Sequence, residues 1–322
     1  MPTPTRASHL GRRALYRGDN LSVLRRFVAD DSVDLVYLDP PFNTGRDHVF
    51  TATTRGGAVG RAFRDSWRWG RGGAADFAEL ADRDDSEARA LTRWIGSLRE
   101  TLGSSDVLAH LVMVGARLIE AKRVLRRTGS LYVHCDATAS HYLKVALDLV
   151  MEPQNFRREI VWRSGWASGF KAAAPNWVRN HDVLLYYVKD RRAPFVFNKA
   201  LAYRAHAPGY RRRGGKHGRL GIAIDDVWDE TALYSPGIKS FSREKLGYPT
   251  QKPLALLERI VNVSSRAGEV VLDPFCGSGT CPAAAERLAR GWIAIDSSRR
   301  AIEVTRRRLW EQLGLRVRAI SA

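Results

Sequence analysis

Cysteine is scarce in this chain: Cys135, Cys276 and Cys281 are its three, in 322 residues. Three thiols do not staple a chain this long, which excludes a disulfide framework and the core-poor secreted folds that rely on one. Cys276 and Cys281 have no second cysteine or histidine pair at zinc spacing, so no metal site is expected. No apolar run reaches the roughly 20 residues of a membrane helix. Residues 1–13 carry Arg and Pro where a signal peptide needs an apolar centre. A reducing, cytoplasmic setting with no membrane partner is the expectation. Acidic residues are also short, 34 against 52 Lys and Arg, for a net charge of +18. Such an excess favours a polyanion as partner, nucleic acid first.

What remains is an ordinary globular composition, 44% hydrophobic and 27% charged, long enough for one large α/β core with a modest insertion. Residues 1–13 read as a flexible basic arm. Residues 14–20 form a short strand and turn, Leu21–Phe27 a helix, and Val33–Leu38 a strand apolar except for Asp34, the pattern of a central parallel strand. Pro40 and Pro41 must end it, since neither can donate to a ladder. Residues 43–75, rich in Gly and Arg, read as a long loop whose Trp67 and Trp69 either cover a ligand or pack the loop itself. Residues 74–100 read as helical. A further helix runs from Asp106 to a stop at Gly129, followed by a strand, Ser130–Cys135. Asp136 or Thr138 caps the next helix, whose inner face is Leu143, Ala146, Leu147 and Val150. Glu159–Arg163 and Asp182–Val188 are further strands.

Periodicity fails between residues 189 and 245. Arg191, Arg192, Arg211, Arg212, Arg213, Lys216 and Arg219 are interleaved there with Phe195, Phe197, Tyr203 and Tyr210, which reads as an inserted DNA-binding segment outside the core. Order returns at Gly247 with a helix entered through Pro253, a strand Val270–Leu272, a glycine loop, a helix Cys281–Arg290 capped by Thr280, and a strand Trp292–Ile295. The alternation predicts a doubly wound, mostly parallel α/β sheet. Its halves are residues 14–188 and 247–322, and residues 189–246 are the insertion.

Two strand ends carry the chemistry. Asp273-Pro-Phe-Cys-Gly-Ser-Gly-Thr280 reads as strand, glycine loop and helix start, with glycines that permit a tight turn and a close ligand. Asp296 stands at the next strand's tip, where dinucleotide folds place the acid that binds ribose. Pro282 takes the place of the fingerprint's third glycine, and no Gly-Lys-Ser/Thr follows to make a phosphate loop. A cofactor with ribose and no phosphate fits, S-adenosylmethionine being the obvious one. Asp273, Phe275, Cys276, Gly277, Ser278, Gly279, Thr280 and Asp296 are the candidate ligands.

The other strand end is Asp39-Pro40-Pro41-Phe42. An exocyclic amine on a base is a poor nucleophile, because its lone pair is delocalised into the ring. A site that accepts its N–H hydrogens favours pyramidal nitrogen and turns the lone pair toward a methyl donor. The Asp39 carboxylate and the Pro40 carbonyl can accept, Pro41 stiffens the turn, and Phe42 offers a face for an extruded base. No Pro-Cys nucleophile is present, and Cys281-Pro282 is in reverse order inside the cofactor region.

These residues resemble motifs IV and I of the amino-methylating DNA methyltransferases. Tyr37-Leu-Asp-Pro-Pro-Phe-Asn-Thr-Gly45 is similar to motif IV of the adenine-N6 enzymes of type III and related type II modification systems, and Asn180–Lys189 to their motif VIII. Gly247-Tyr-Pro-Thr-Gln-Lys-Pro253 resembles motif X, which adds Thr250, Gln251, Lys252 and Pro253 to the cofactor site by implication. The catalytic motif precedes the cofactor motif with the variable segment between, the circular permutation of the β class. The resemblance implies the Rossmann-like methyltransferase fold with Asp39 and Gly277 at adjacent central strand ends, and double-stranded DNA as substrate. It also implies a restriction endonuclease as companion and a homodimer. Phe42 stands where Tyr is more usual, and the insertion is short for a type III subunit. His134 and His141 read as structural. The alternatives are cytosine-N4 methylation, whose enzymes usually carry Ser where Asp39 stands, and a catalytically silent DNA-binding subunit, which should have lost Asp39 or the glycine loop.

Overall fold

A computed structural model describes residues 13–43, 45–50, 60–164, 175–205, 221–229, 238 and 242–322. The first half contains β1 (Arg13–Arg17), α1 (Asn20–Phe27), β2 (Val33–Leu38), a hairpin of β3 (Arg46–Phe50) and β4 (Gly60–Asp65), then α2 (Arg71–Ala81), α3 (Ser86–Leu102), α4 (Asp106–Val124) and β5 (Leu125–Cys135). Next come α5 (Ser140–Met151), β6 (Phe156–Arg163), β7 (His181–Val188), β8 (Tyr203–Arg204), β9 (Ile222–Ala223) and β10 (Val227–Trp228). The last part holds α6 (Leu254–Ser264), β11 (Val270–Asp273), α7 (Thr280–Arg287), β12 (Gly291–Asp296), α8 (Arg299–Leu313) and β13 (Ala319–Ser321).

Nine strands form one sheet in the order β10-β6-β7-β5-β2-β11-β12-β1-β13. Every neighbouring pair is parallel except the two made by β7. Strand β2 is buried along its whole length, and its side chains alternate between two cores. Val36 and Leu38 pack with α1, α3, α4 and α5, whereas Leu35 and Tyr37 pack with α6, α7 and α8. A strand covered on both faces has to be apolar on both, which is why its sequence does not alternate with polar residues. Asp34 is the exception, and it is satisfied: its carboxylate accepts from the Val270 backbone N–H at 2.8 Å and from Arg126 at 2.7 Å.

Several expectations need correction. Gly129 does not stop a helix; α4 ends at Val124 and Gly129 lies inside β5. A Cβ there would come within 2.9 Å of the Asp34 carbonyl oxygen and 2.6 Å of Leu125 Cδ1, so close strand approach, at a register shift, demands the glycine. Residues 43–75 are not all loop, since β3 and β4 pair antiparallel and α2 begins at Arg71. The helix expected over 74–100 is two, broken at residues 82–85, where Asp85 caps the second. Thr280 is the first residue of α7 and caps nothing; Gly279, left-handed at φ 74°, precedes it, and the helix stops at Arg287. Residues 189–246 are not wholly outside the core: Ala193, Val196 and Trp228 are buried, and β10 adds an outer strand to the sheet. The basic arm over residues 1–12 lies outside the described residues, as do Tyr210, Arg211, Arg212, Arg213, Lys216 and Arg219.

Candidate functional site

Neighbouring parallel strands point their C-terminal ends the same way. The pairing of β2 with β11 therefore brings Asp39 and the glycine loop to one edge of the sheet. A cavity of about 1130 Å³ opens there and is lined from both sides, by Asp39, Pro40, Pro41 and Phe42 and by Asp273, Phe275, Cys276, Gly277, Ser278, Thr280 and Asp296. Thr250, Gln251, Lys252 and Pro253 line it as well. Ligand pockets of roughly 300–1,000 Å³ are usual, so this one has room for two ligands together. Crevices of this kind, at the carboxyl ends of central strands, are where open α/β sheets bind ligands.

On the cofactor side, the loop is held by its own backbone. Gly277 N–H donates to one Asp296 oxygen at 3.0 Å and Ser298 N–H to the other at 2.8 Å. Each oxygen keeps a second lone pair toward the cavity, where a ribose hydroxyl can donate. Burial raises the Asp296 carboxyl to about 6. Burial also pushes Asp273 well above the usual carboxylate range, with Asp39 and Asp296 adding to it, while Phe275 N–H donates to Asp273 at 3.0 Å. The glycines answer first to the protein. Both have positive φ, and a Cβ on Gly279 would lie 2.7 Å from Thr305 Oγ1, one on Gly277 3.2 Å from Tyr248. The Thr280 hydroxyl turns inward: it donates to the Lys252 carbonyl at 3.1 Å and accepts from the buried Arg308 at 2.6 Å.

On the catalytic side, Asp39 is part-exposed and both its oxygens accept from Lys252 Nζ, at 2.7 and 2.6 Å. The same ammonium sits 5.0 Å from the Phe42 ring centre. His110 Nε2 lies 2.7 Å from the Pro41 carbonyl oxygen, which can only accept, so that nitrogen carries the proton; burial lowers the pKa of the ring. Phe42 stacks on His134 at 5.8 Å, and Trp162 meets the same imidazole edge-on. His134 is fully buried between Tyr37 and Asp182, at 2.9 and 3.4 Å. Burial, then the Lys252 charge, lowers its pKa, so it is neutral with Nε2–H toward Asp182 and Nδ1 accepting from Tyr37. It shapes the floor beneath Phe42.

The structure thus gathers the catalytic and cofactor candidates and leaves the described basic ones apart. Arg191 and Arg192 follow β7, which runs against its neighbours, so they lie at the opposite edge of the sheet from Asp39. Sequence reasoning missed Asp19 and Asn20, which line the cavity beside the glycine loop. Asn20 Nδ2 donates to the Pro274 carbonyl at 2.8 Å, and Gly18 N–H to the Asp296 carbonyl at 3.1 Å. Only the pairing of β1 with β12 brings them there, and no local pattern announces it. His110 was one polar residue in an apolar helical stretch. Trp67 divides its roles: it packs edge-on to His110 and also lines the cavity, whereas Trp69 packs on Phe77.

The profile of the DNA methylase family of N6 and N4 methyltransferases matches residues 33–307, and the chain belongs to that family. A type II methyltransferase of Moraxella bovis, M2.MboI, is 22% identical over 92% of this chain and 87% of its own length. The DNA adenine methyltransferase YhdJ of Escherichia coli is 26% identical over 95% and 85%. Among solved structures, the DNA modification methylase TTHA0409 of Thermus thermophilus, determined with S-adenosyl-L-methionine, is similar in fold at TM-score 0.51 and 18% identity, covering 96% of this chain and 98% of that one. The family takes its methyl group from S-adenosylmethionine, and the residues present fit that cofactor: a buried glycine cradle, a carboxylate with lone pairs for ribose hydroxyls, and anionic Asp groups facing a cationic ligand.

Proposed function

We propose that this DNA methyltransferase modifies the exocyclic N6 of adenine, by direct transfer to a base extruded from double-stranded DNA. The observation that carries the reading is the cavity shared by the Asp39 turn and the glycine loop at adjacent strand ends. Asp273, Asp296, the 275–280 loop and residues 250–253 hold the cofactor. Bound there, S-adenosylmethionine supplies an electrophilic methyl group. Asp39 and the Pro40 carbonyl accept the N–H hydrogens of the target amine, so that its lone pair develops toward the cofactor side of the cavity. Phe42, stiffened from behind by His134, stacks on the base and repays part of the few kcal/mol that unstacking costs. The proton released as nitrogen gains its fourth bond passes to Asp39 and from there to water. Asp39, in place of the Ser usual in cytosine-N4 enzymes, favours adenine.

A type II modification setting, with a restriction endonuclease acting on the same sites in the cytoplasm, is the biological context that this reading carries. The test is incubation of purified protein with unmethylated genomic DNA and S-adenosylmethionine, followed by mass spectrometry of the nucleosides. N6-methyladenine is expected. N4-methylcytosine in its place would keep the mechanism and overturn the base. Absence of both from a protein that binds the cofactor would overturn the reading in favour of a silent DNA-binding subunit.

A further inference from the structure

Lys252 belongs by sequence to the cofactor side, yet its side chain reaches the catalytic carboxylate. Its backbone is fastened to the other half: the carbonyl accepts from the Thr280 hydroxyl at the start of α7, and that hydroxyl is held by Arg308 of α8. Arg308 also reaches Glu244 at 3.2 Å, and Glu244 accepts from Leu254 N–H at 2.6 Å on the far side of Lys252. The segment is therefore clamped at both ends. From it the buried Lys252 ammonium places one nitrogen within 2.7 Å of both Asp39 oxygens.

That geometry matches the task assigned to Asp39. A target amine is a nitrogen donor that must come to the same carboxylate, over the same Phe42 ring that lies 5.0 Å from Nζ. An ammonium has three N–H donors on tetrahedral nitrogen, and an exocyclic amine approaching transfer has two on a nitrogen becoming tetrahedral. A single nitrogen bridging both oxygens occupies the position an incoming amine needs. It also satisfies a carboxylate that would otherwise sit uncompensated at the rim of a cavity holding Asp273, Asp182 and Asp296.

Resting on the adenine-N6 reading, we propose that Lys252 is a positioning residue for methyl transfer: it caps and aims Asp39 in the waiting enzyme, and the target amine enters by exchange against it. Lys252 acts through Asp39, and its effect belongs to turnover more than to cofactor affinity.

The experiment compares Lys252→Met and Lys252→Arg with the parent, using unmethylated genomic DNA and S-adenosylmethionine. Loss of a buried hydrogen-bonded charge partner predicts a kcat about tenfold to a hundredfold lower for Lys252→Met, because Asp39 is no longer held. KM for DNA is expected to stay level or fall, since the amine no longer competes with a lysine. Lys252→Arg, which can fork onto a carboxylate, should recover most of kcat. Calorimetric affinity for S-adenosylmethionine without DNA should change by less than about threefold, as expected of a side chain that contributes to turnover and not to uniform binding. A thermal-melt cycle with Asp39→Asn supplies a readout independent of turnover: Lys252→Met should lower the melting temperature with Asp39 present and much less with Asn there. A loss confined to cofactor affinity, or equal melting losses in both backgrounds, would overturn the proposal. A parent enzyme that methylates no adenine would overturn the underlying function instead, and the melt cycle would still decide the Asp39–Lys252 coupling.

Discussion

The two turns that meet in the cavity solve one problem in opposite ways. Each must end a parallel strand and present polar groups at its tip. After β2, the chain stops pairing because Pro40 and Pro41 have no N–H to give, and the turn is fixed by side chains that come from far away: Lys252 on Asp39, His110 on the Pro41 carbonyl. After β11, the chain turns by visiting positive φ at Gly277 and Gly279, and it is fixed by backbone N–H groups on Asp273 and Asp296. The first turn holds its carboxylate with a movable ammonium. The second holds its carboxylates with immovable amides and burial. A loop that receives one constant cofactor can be rigid, whereas a turn that must exchange one amine for another keeps a partner that can yield.

The largest effect expected is on the first turn. Asp39→Ala should reduce methylation by at least about a hundredfold, as removal of a transition-state hydrogen-bond partner does. Affinity for S-adenosylmethionine, measured by calorimetry, should be largely kept. An active variant would sink the role given to Asp39. Because Ala leaves Lys252 buried and unpaired, Asp39→Asn serves as the folded control. On the second turn the same kind of change should act on stability instead. Gly279→Ala puts a Cβ 2.7 Å from Thr305 Oγ1 at φ +74°, and a loss of about 2–4 kcal/mol in denaturant unfolding is expected. Gly277→Ala meets only Tyr248 at 3.2 Å and should cost about half as much. Equal losses at the two glycines would mean that φ, not packing against α8, sets the requirement.

The contrast also explains what the sequence reveals. Both turns are spelled by consecutive residues, Asp39–Phe42 and Asp273–Thr280, so their residue types alone suggested an amine acceptor and a cofactor loop. The strands behind them were legible for a similar reason: a strand buried on both faces is apolar at every step, as β2 is. What holds the turns was not legible. Lys252 meets Asp39 across 213 residues and His110 meets Pro41 across 69, contacts that exist only once the sheet order is known. Gly129 misled because glycine ends helices more often than it lines a close strand pair, and its neighbour Asp34 is distant in sequence. The short strand β10 was hidden by its two residues, too few for any period.

Acid should separate the turns further. Asp296 has its carboxyl raised to about 6, so the folded protein binds that proton more tightly than the unfolded chain. The sign follows: this group's contribution is most favourable below about pH 4 and is lost as pH rises through 6, by at most about 3 kcal/mol. Asp296→Asn should flatten that part of the stability profile. Ribose hydroxyls donate to the ionised form, so affinity for S-adenosylmethionine should rise as pH climbs toward 6 and level off above it. Affinity independent of pH between 5 and 7 would remove Asp296 from the ribose site.

The smallest effect is expected where the first turn is stiffened by covalent structure alone. Pro41→Ala keeps the carbonyl that His110 holds, because that oxygen belongs to the backbone. What it loses is the fixed φ, which acts mainly by leaving the unfolded chain freer, at a cost of about 0.4–1 kcal/mol. Turnover should fall only a few-fold, since Asp39 keeps Lys252 and the turn keeps its histidine clamp. His110→Leu, by contrast, leaves the Pro41 carbonyl without its donor in a mostly buried place, and about 1–3 kcal/mol is expected there. If Pro41→Ala proved the more damaging of the two in unfolding and in kcat, the ring itself would be what shapes the base site, and the turn would depend on covalent stiffness in place of borrowed side chains.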